Sequence, residues 1–348
     1  MQSLTLTSLA DLAALNADTI IDVRAPSEFA EDHLPGAINL PVLDDVERAE
    51  VGTIYKQASP FKARKIGGAL VAQNTARHLQ GPLADKQGDW QPLVYCWRGG
   101  QRSGAFATII DQVGWRVRLL KGGYRSYRRL VVGMLYDAPL PFRLVVIEGG
   151  TGTAKTELLH HLKDAGAQTL DLEGLAHHRG SLFGAMGQPQ PAQKLFESRI
   201  AGVLSGFDPA QPVWVEAESS RVGDRTVPPT LWAAMQSAPR AEISAPTPAR
   251  AAYLARAYRD LTEDAALLKH RIDQLAPYHA TETISGWQHQ ARAGDWASLA
   301  EGLITAHYDP RYAKSAARSA KAQRHYDLAD LDVENLLALA RLMIRDFS

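Results

Sequence analysis

The chain has 348 residues, 38 Lys and Arg against 38 Asp and Glu, 45% hydrophobic and 22% charged side chains, and a single cysteine. That length suits two domains of about 100–200 residues each, and the composition excludes a disordered or collagen-like chain. Zero net charge argues against a generally cationic nucleic-acid binder while leaving room for a local basic face, and a lone Cys excludes an internal disulfide or a Cys-based zinc site.

No run approaches the roughly 18 apolar residues of a membrane span. MQSLTLTSLADLAAL (1–15) has no basic n-region and carries Asp11 in its apolar stretch, so a cytoplasmic protein without membrane association is expected. TIIDV (19–23), PLVYCW (92–97) and WRVRLL (115–120) read as strands. Between the last two, SGAFATIIDQVG (103–114) reads as a helix with Ala105, Ile109, Ile110 and Val113 on its apolar face, ended by Gly114. Strand, loop, helix and strand in this order predict a parallel sheet. DAPLPF (137–142) has two prolines and no periodicity and reads as a linker. After it, RLVVIEGGTGTAKTELLHHLKDAG (143–166) is strand, Gly-rich turn and helix. PVWVEAE (212–218) is a further strand, and the chain from about Pro248 is helical, with Asp332 a cap for the last helix. The predicted organisation is an α/β domain at 1–135, a linker at 136–142, a second α/β domain at 143–247 and a helical portion at 248–348 packed on it.

Cys96 ends a buried strand and is followed by WRGGQRS, with five residues between Cys96 and Arg102. Such a strand-to-helix loop turns successive backbone N–H groups inward, and the helix adds its positive end, so an anion cradle with a thiol at its floor is expected. Gly99 and Gly100 permit the curl, Arg98 and Arg102 supply charge, and Gln101 and Ser103 complete the loop. These donors favour a nucleophilic Cys96 thiolate over a structural thiol.

IDVRAPSEFAEDHLPGAINLP (21–41) resembles the opening signature of rhodanese domains, its pattern appearing as Asp22, Arg24, Glu28, His33, Pro35, Gly36 and Ala37, and the resemblance spans about residues 4–130. The Cys-to-Arg spacing is also that of protein tyrosine phosphatases and rhodanese-like dual-specificity phosphatases. Those proteins usually have His before the Cys, where this chain has Tyr95, so a phosphatase ranks second.

VVIEGGTGTAKTELL (145–159) nearly satisfies the phosphate-loop pattern, Gly149, Gly150, Thr151, Gly152 and Thr153 leading to Lys155 and Thr156, with Ala154 where the pattern has Gly. Lys155 would meet phosphate charge, and Glu216 and Glu218 at the end of a neighbouring strand suit the metal side, so Mg²⁺ is admitted there. The adjacent His177 and His178 would point to different faces of a helix, and no zinc or other resident metal is expected.

The pairing of CWRGGQRS with a phosphate loop, together with EVGTIYKQASPFKARKIGGALVAQN (50–74), LKGGYRSYRR (120–129), DLEGLAHHRGSLFG (171–184), QPQPAQKLFES (188–198), EAESSRVGD (216–224) and HYDPRY (307–312), resembles the tRNA 2-selenouridine synthases over most of the chain. Ala217 departs from the acidic residue expected in its block. The resemblance implies replacement of sulfur by selenium in wobble 2-thiouridine of tRNA. Selenophosphate is the implied donor, and an S-geranyl intermediate comes from geranyl diphosphate. It implies no tightly bound cofactor, and a selenophosphate-producing enzyme is a candidate partner. The other readings are a phosphatase or sulfurtransferase with a nucleotide-binding regulatory domain, and a non-catalytic tRNA-binding protein.

A neutral tRNA enzyme must concentrate its positive charge. Residues 1–135 hold 16 basic and 13 acidic side chains, an excess of three. Arg125, Arg128 and Arg129 interleave with Tyr124 and Tyr127, offering phosphate contacts and stacking surfaces. Arg311, Lys314, Arg318, Lys321 and Arg324 recur every three or four residues and would form one basic stripe if helical.

Overall fold

Short aliphatic runs buried on both faces make the central strands, as parallel sheets covered by helices require. The structure, a computed structural model, describes residues 1–12, 14–184, 187–316 and 323–347. The chain divides into two units, Met1–Ala138 with Pro191–Gly206, and Pro139–Gln190 with Phe207–Ser348.

In the first unit β1 (Gln2–Leu4), β2 (Thr19–Asp22), β3 (Ala37–Asn39), β4 (Pro92–Tyr95) and β5 (Arg118–Leu120) form a parallel sheet in the order β1-β5-β4-β2-β3. Central β4 pairs with β2 through Ile21 and Val94 and with β5 through Val94 and Leu119, so Cys96 leaves the carboxyl end of the middle strand. The helices are α1 (Pro26–Glu31), α2 (Asp45–Gln57), α3 (Pro60–Gln80), α4 (Gln101–Gln112) and α5 (Tyr124–Val132). A capping box starts α2: Glu47 N–H donates to Asp44 Oδ1 at 2.7 Å and Asp44 N–H to Glu47 Oε2 at 2.9 Å. Ser59 caps α3 and Pro60 opens it, which turns the chain back into an antiparallel α2–α3 hairpin.

The buried face of α4 is Ser103, Phe106, Ala107 and Ile110, while Val113 is 54% exposed. The expected face through Ala105 and Val113 is therefore rotated. Phe106 carries more apolar area than Ala105 and packs with Val94 and Ile110 in the core.

In the second unit β6 (Leu144–Gly149), α6 (Lys155–Asp164), β7 (Gln168–Leu170) and α7 (Leu172–Ala176) come first. The next helix, α8 (Gln193–Leu204), belongs to the first unit. There Ser198 Oγ donates to Asp32 Oδ2 at 2.9 Å and Glu197 pairs with Arg128. A linear division of the chain assigns this helix to the other domain; burial of its polar face against Asp32 and Arg128 decides its placement. The chain returns with β8 (Val213–Glu216), the β9 (Arg221–Val222) and β10 (Arg225–Thr226) hairpin, α9 (Pro229–Ser237) and β11 (Arg240–Ser244). The helical portion follows as α10 (Thr247–Ala257), α11 (Arg259–Thr262), α12 (Ala265–Asp273), α13 (Thr281–Ala293), α14 (Trp296–Leu303) and α15 (Asp309–Ala316), before β12 (Arg324–Asp327) and α16 (Val333–Phe347). The second sheet is parallel in the order β12-β11-β6-β8-β7. Asn335 N–H donates to Asp332 Oδ1 at 2.9 Å, so Asp332 does cap α16. Among the described residues no helix is long and apolar enough to cross a membrane.

Candidate functional site

The first unit builds a thiol site at the end of β4. Cys96 is 3% exposed; Ser103 Oγ donates to its Sγ at 3.1 Å and Gly100 N–H at 3.4 Å. Burial alone pushes the thiol up, but the Ser103 hydroxyl, the Ser103 and Gly100 amides and the nearby Arg102 charge outweigh it and hold the pKa below that of a free cysteine. The donors at the start of α4 therefore favour the thiolate form of Cys96.

Residues far back in the chain hold this loop. Glu28 receives Arg102 Nη1 at 2.6 Å and its own helix-start amide, Ala25 N–H, at 3.2 Å. Buried Arg24 grips Asp22 with Nη2 at 2.6 Å and lies 4.1 Å from the Tyr124 ring centroid. From the other side Tyr124 N–H donates to Cys96 O at 2.8 Å and Arg125 N–H to Trp97 O at 3.1 Å. Gly123, at φ +58, is pressed against the loop so closely that a Cβ there would lie 2.2 Å from Cys96 O. Glycine is needed at that position for both backbone angle and space.

Two expectations change here. Arg102, whose charge still favours the thiolate, is shared with Glu28, and Arg98 is exposed. On α5, Tyr124 and Tyr127 are buried in the core and offer no stacking surface. Arg128 is committed to Glu197 and Asp32, the latter at 3.6 Å, which neutralises it, whereas Arg125 and Arg129 are exposed one helical turn apart.

In the second unit the Gly-rich turn joins β6 to α6. Gly149, Gly150 and Gly152 come too close to neighbours for side chains; at Gly150 a Cβ would meet Arg250 Nη2 at 2.9 Å. Lys155 Nζ donates to Gly149 O at 2.9 Å and Gly150 O at 3.3 Å, so the ammonium folds over the turn. Ala154 caps α6 at φ +57, the left-handed conformation that explains a preference for Gly, and its methyl is buried with Leu331 and Leu336. Thr153 Oγ1 donates to Gly150 O at 2.9 Å. Arg250 Nε donates to Thr151 O at 2.8 Å while Asp309 takes its Nη2 at 2.6 Å and Nη1 at 3.0 Å, bracing the turn from α10 and α15.

Glu216 ends β8 and Glu218 follows it; Glu173, on α7, joins them with carboxylate oxygens all within 4.8 Å of one another. Thr156 Oγ1 lies 3.1 Å from Glu216 Oε2 and 3.3 Å from Glu173 Oε2. Burial and mutual repulsion push Glu216 well above the usual carboxylate range and Glu218 up to about 8. Glu216 Oε1 is buried without a hydrogen-bond partner among the described residues. Three carboxylates beside a hydroxyl suit a hard divalent cation such as Mg²⁺, whose charge would relieve both effects. Sequence reasoning found Glu216 and Glu218 but not Glu173, which only the fold brings across from α7.

These groups line a cavity of about 590 Å³ with Lys155, Arg179 and Tyr253 on its walls. An apolar recess of about 70 Å³ adjoins it, sharing Leu254, Tyr258 and Tyr308 and running on to Phe183, Leu268 and Leu299. α7 ends at His177 in the left-handed conformation, so the two histidines do not share a helix, and Gly180 N–H donates to His178 Nδ1 at 3.1 Å. Lys314 and Arg311 lie on α15, exposed, with Arg311 over the Tyr278 ring at 4.4 Å, while Arg324 is on β12. Arg324 therefore does not share the helix of Arg311 and Lys314; Arg318 and Lys321 fall outside the described residues.

A family profile described as the tRNA 2-selenouridine synthase AAA domain matches residues 142–281, and one for the Rhodanese-like domain matches 5–130. Among curated proteins, the tRNA 2-selenouridine synthase of Aeromonas salmonicida is 33% identical over 346 residues, covering 90% of this chain and 91% of that one. That of Nitrosomonas europaea is 40% identical over 228 residues, 64% of this chain and 59% of that one. The Bdellovibrio bacteriovorus protein is 35% identical over 237 residues, 66% and 62% respectively. The matches to these last two span somewhat less than two thirds of the relatives' lengths.

Proposed function

The chain belongs to the tRNA 2-selenouridine synthase family, and from that premise we propose that it modifies tRNA at wobble 2-thiouridine, exchanging sulfur for selenium through an S-geranyl intermediate. The observation that carries this reading is the pair of anion sites in one chain, the Cys96 loop and the Lys155 turn with its amphiphilic cavity.

Geranyl diphosphate has a charged head and an apolar tail, and the second unit offers a matching surface. Its diphosphate would meet Lys155 and the turn amides; Glu173, Glu216 and Glu218 are the residues that would hold a Mg²⁺ to offset its charge, and the end of the tail would enter the recess past Tyr258 and Tyr308. The 2-thiouridine sulfur attacks C1 of the geranyl group; a C–S bond forms, the C–O bond breaks and diphosphate leaves with the electron pair. Loss of the ring N3 proton gives neutral S-geranyl-2-thiouridine, in which the sulfur has become a leaving group. Selenophosphate, an oxyanion, occupies the Cys96 loop, and its selenium attacks C2 as geranylthiolate departs. Hydrolysis of the P–Se bond then yields phosphate and 2-selenouridine. Exposed Arg98, Arg125 and Arg129 beside the thiol loop supply tRNA phosphate contacts.

The test is to incubate the protein with 2-thiouridine tRNA, geranyl diphosphate and selenophosphate and to weigh the nucleosides. Geranylated and selenated uridine support the reading; their joint absence removes it. Phosphate release from an aryl phosphate, abolished by Cys96→Ser, would instead support the phosphatase reading.

A further inference from the structure

Between Val51 and Ala84 the chain has five Lys and Arg and no Asp or Glu. This stretch is most of the α2–α3 hairpin, and the charge gathers at its tip with Lys56, Lys62, Arg64 and Lys65, all exposed. Two aromatic rings stand among them in solvent, Tyr55 at 55% and Phe61 at 72% exposure. On α3, Phe61, Arg64, Lys65 and Gly68 follow at intervals of three and four, so ring and cations share one face, and at Gly68 a Cβ would meet nothing within 4 Å. Neither ring is needed for the core, which the hairpin reaches through Val51 and Val71.

A groove of about 220 Å³ separates this hairpin from the first turn of α4. Tyr55, Arg64 and Gly68 line one side, and Gln101 and Arg102 line the other. Those last two residues belong to the loop that cradles Cys96. The basic, aromatic tip and the thiol loop are therefore one continuous surface within the first unit.

We propose that the α2–α3 tip and its groove bind single-stranded RNA, taking the nucleotides that flank the base under modification. The inference rests on the tRNA reading above and assigns it a surface. Cations track the phosphates, while the exposed rings and the groove accept unstacked bases, the combination by which single strands are held without a sequence code. A duplex offers phosphates but no free base faces, so the rings would add little to duplex binding. The lack of any carboxylate from Val51 to Ala84 removes the repulsion that a mixed-charge surface would impose on phosphate.

The experiment compares the binding of an anticodon stem-loop and of a duplex RNA of equal length by the full chain, across a salt series. Tyr55→Ala and Phe61→Ala alter exposed side chains and are expected to weaken the stem-loop about five- to hundredfold per stacked ring, with the duplex little changed. The Lys62→Ala, Arg64→Ala, Lys65→Ala triple variant is expected to flatten the log–log salt slope by about 0.7 for each lost phosphate contact. Stem-loop binding by the aromatic double variant equal to that of the wild type would overturn the proposal. So would an unchanged salt slope in the triple variant. Tight wild-type binding with these insensitive variants places the RNA elsewhere and leaves the tRNA reading standing. No stem-loop binding by the wild type removes both.

Discussion

Ser103 decides how reactive Cys96 is, because it supplies both hydroxyl and amide donors to the sulfur against the opposing effect of burial. A hydrogen bond to a charged acceptor is worth about 1.5–3 kcal/mol. Ser103→Ala should therefore raise the thiol's titration midpoint and slow its alkylation by iodoacetamide near neutral pH, without unfolding the protein. An unchanged pH profile of alkylation would show that the hydroxyl does not hold the thiolate. At Ala154 two effects oppose one another. Its left-handed backbone costs about 1–2 kcal/mol that Gly would avoid, while its buried methyl contributes about 0.8 kcal/mol that Gly would lose. Ala154→Gly should then change stability by less than about 1 kcal/mol, measured by urea unfolding. A large loss would mean that the Leu331 and Leu336 contacts dominate.

Individual elements gather charge that no local stretch contains. β8, the residues after it and α7 bring three carboxylates together, and Glu218 is pushed up from about 4.5 to about 8. In the metal-free protein these groups keep protons that the unfolded chain releases. The stability that Glu218 confers in this way is full below about pH 4.5 and is lost as pH rises through about 8. Mg²⁺ held by these carboxylates would bind their ionised forms, so it should raise the thermal midpoint clearly at about pH 8.5 and hardly at about pH 5. Equal effects at both pH values would contradict the site. The strand–loop–helix elements were legible in the sequence because their signals are local: Cys96 at a strand end before two glycines, and Gly149 to Thr156 between a strand and a helix. Glu173 was hidden because its meeting with Glu216 crosses 43 residues of chain. Arg128 read as a free cation because its partner Glu197 lies 69 positions away. The phase of α4 is not legible locally because Ala105 and Phe106, neighbours in sequence, compete for the core, and Phe106 takes it.

The whole molecule is two units interleaved in sequence, since α8 leaves the second stretch of chain to complete the first unit. No periodicity announces this exchange; it rests on the Asp32, Arg128, Glu197 and Ser198 contacts. A fragment of residues 1–138 should accordingly be less stable than the same unit in the full chain and should gain thermal stability from an added peptide of residues 191–206. Indifference to that peptide would show that α8 is dispensable there. The proposed function divides between the units as well: it assigns alkylation of the sulfur to the Lys155 turn and delivery of selenium to the Cys96 loop. The most direct test weighs the nucleosides made from 2-thiouridine tRNA, geranyl diphosphate and selenophosphate by Lys155→Ala and Cys96→Ser proteins. The division predicts that Lys155→Ala forms little geranylated base, while Cys96→Ser accumulates geranylated base with little selenated product. Loss of geranylation in Cys96→Ser, or its persistence at the wild-type rate in Lys155→Ala, would contradict it.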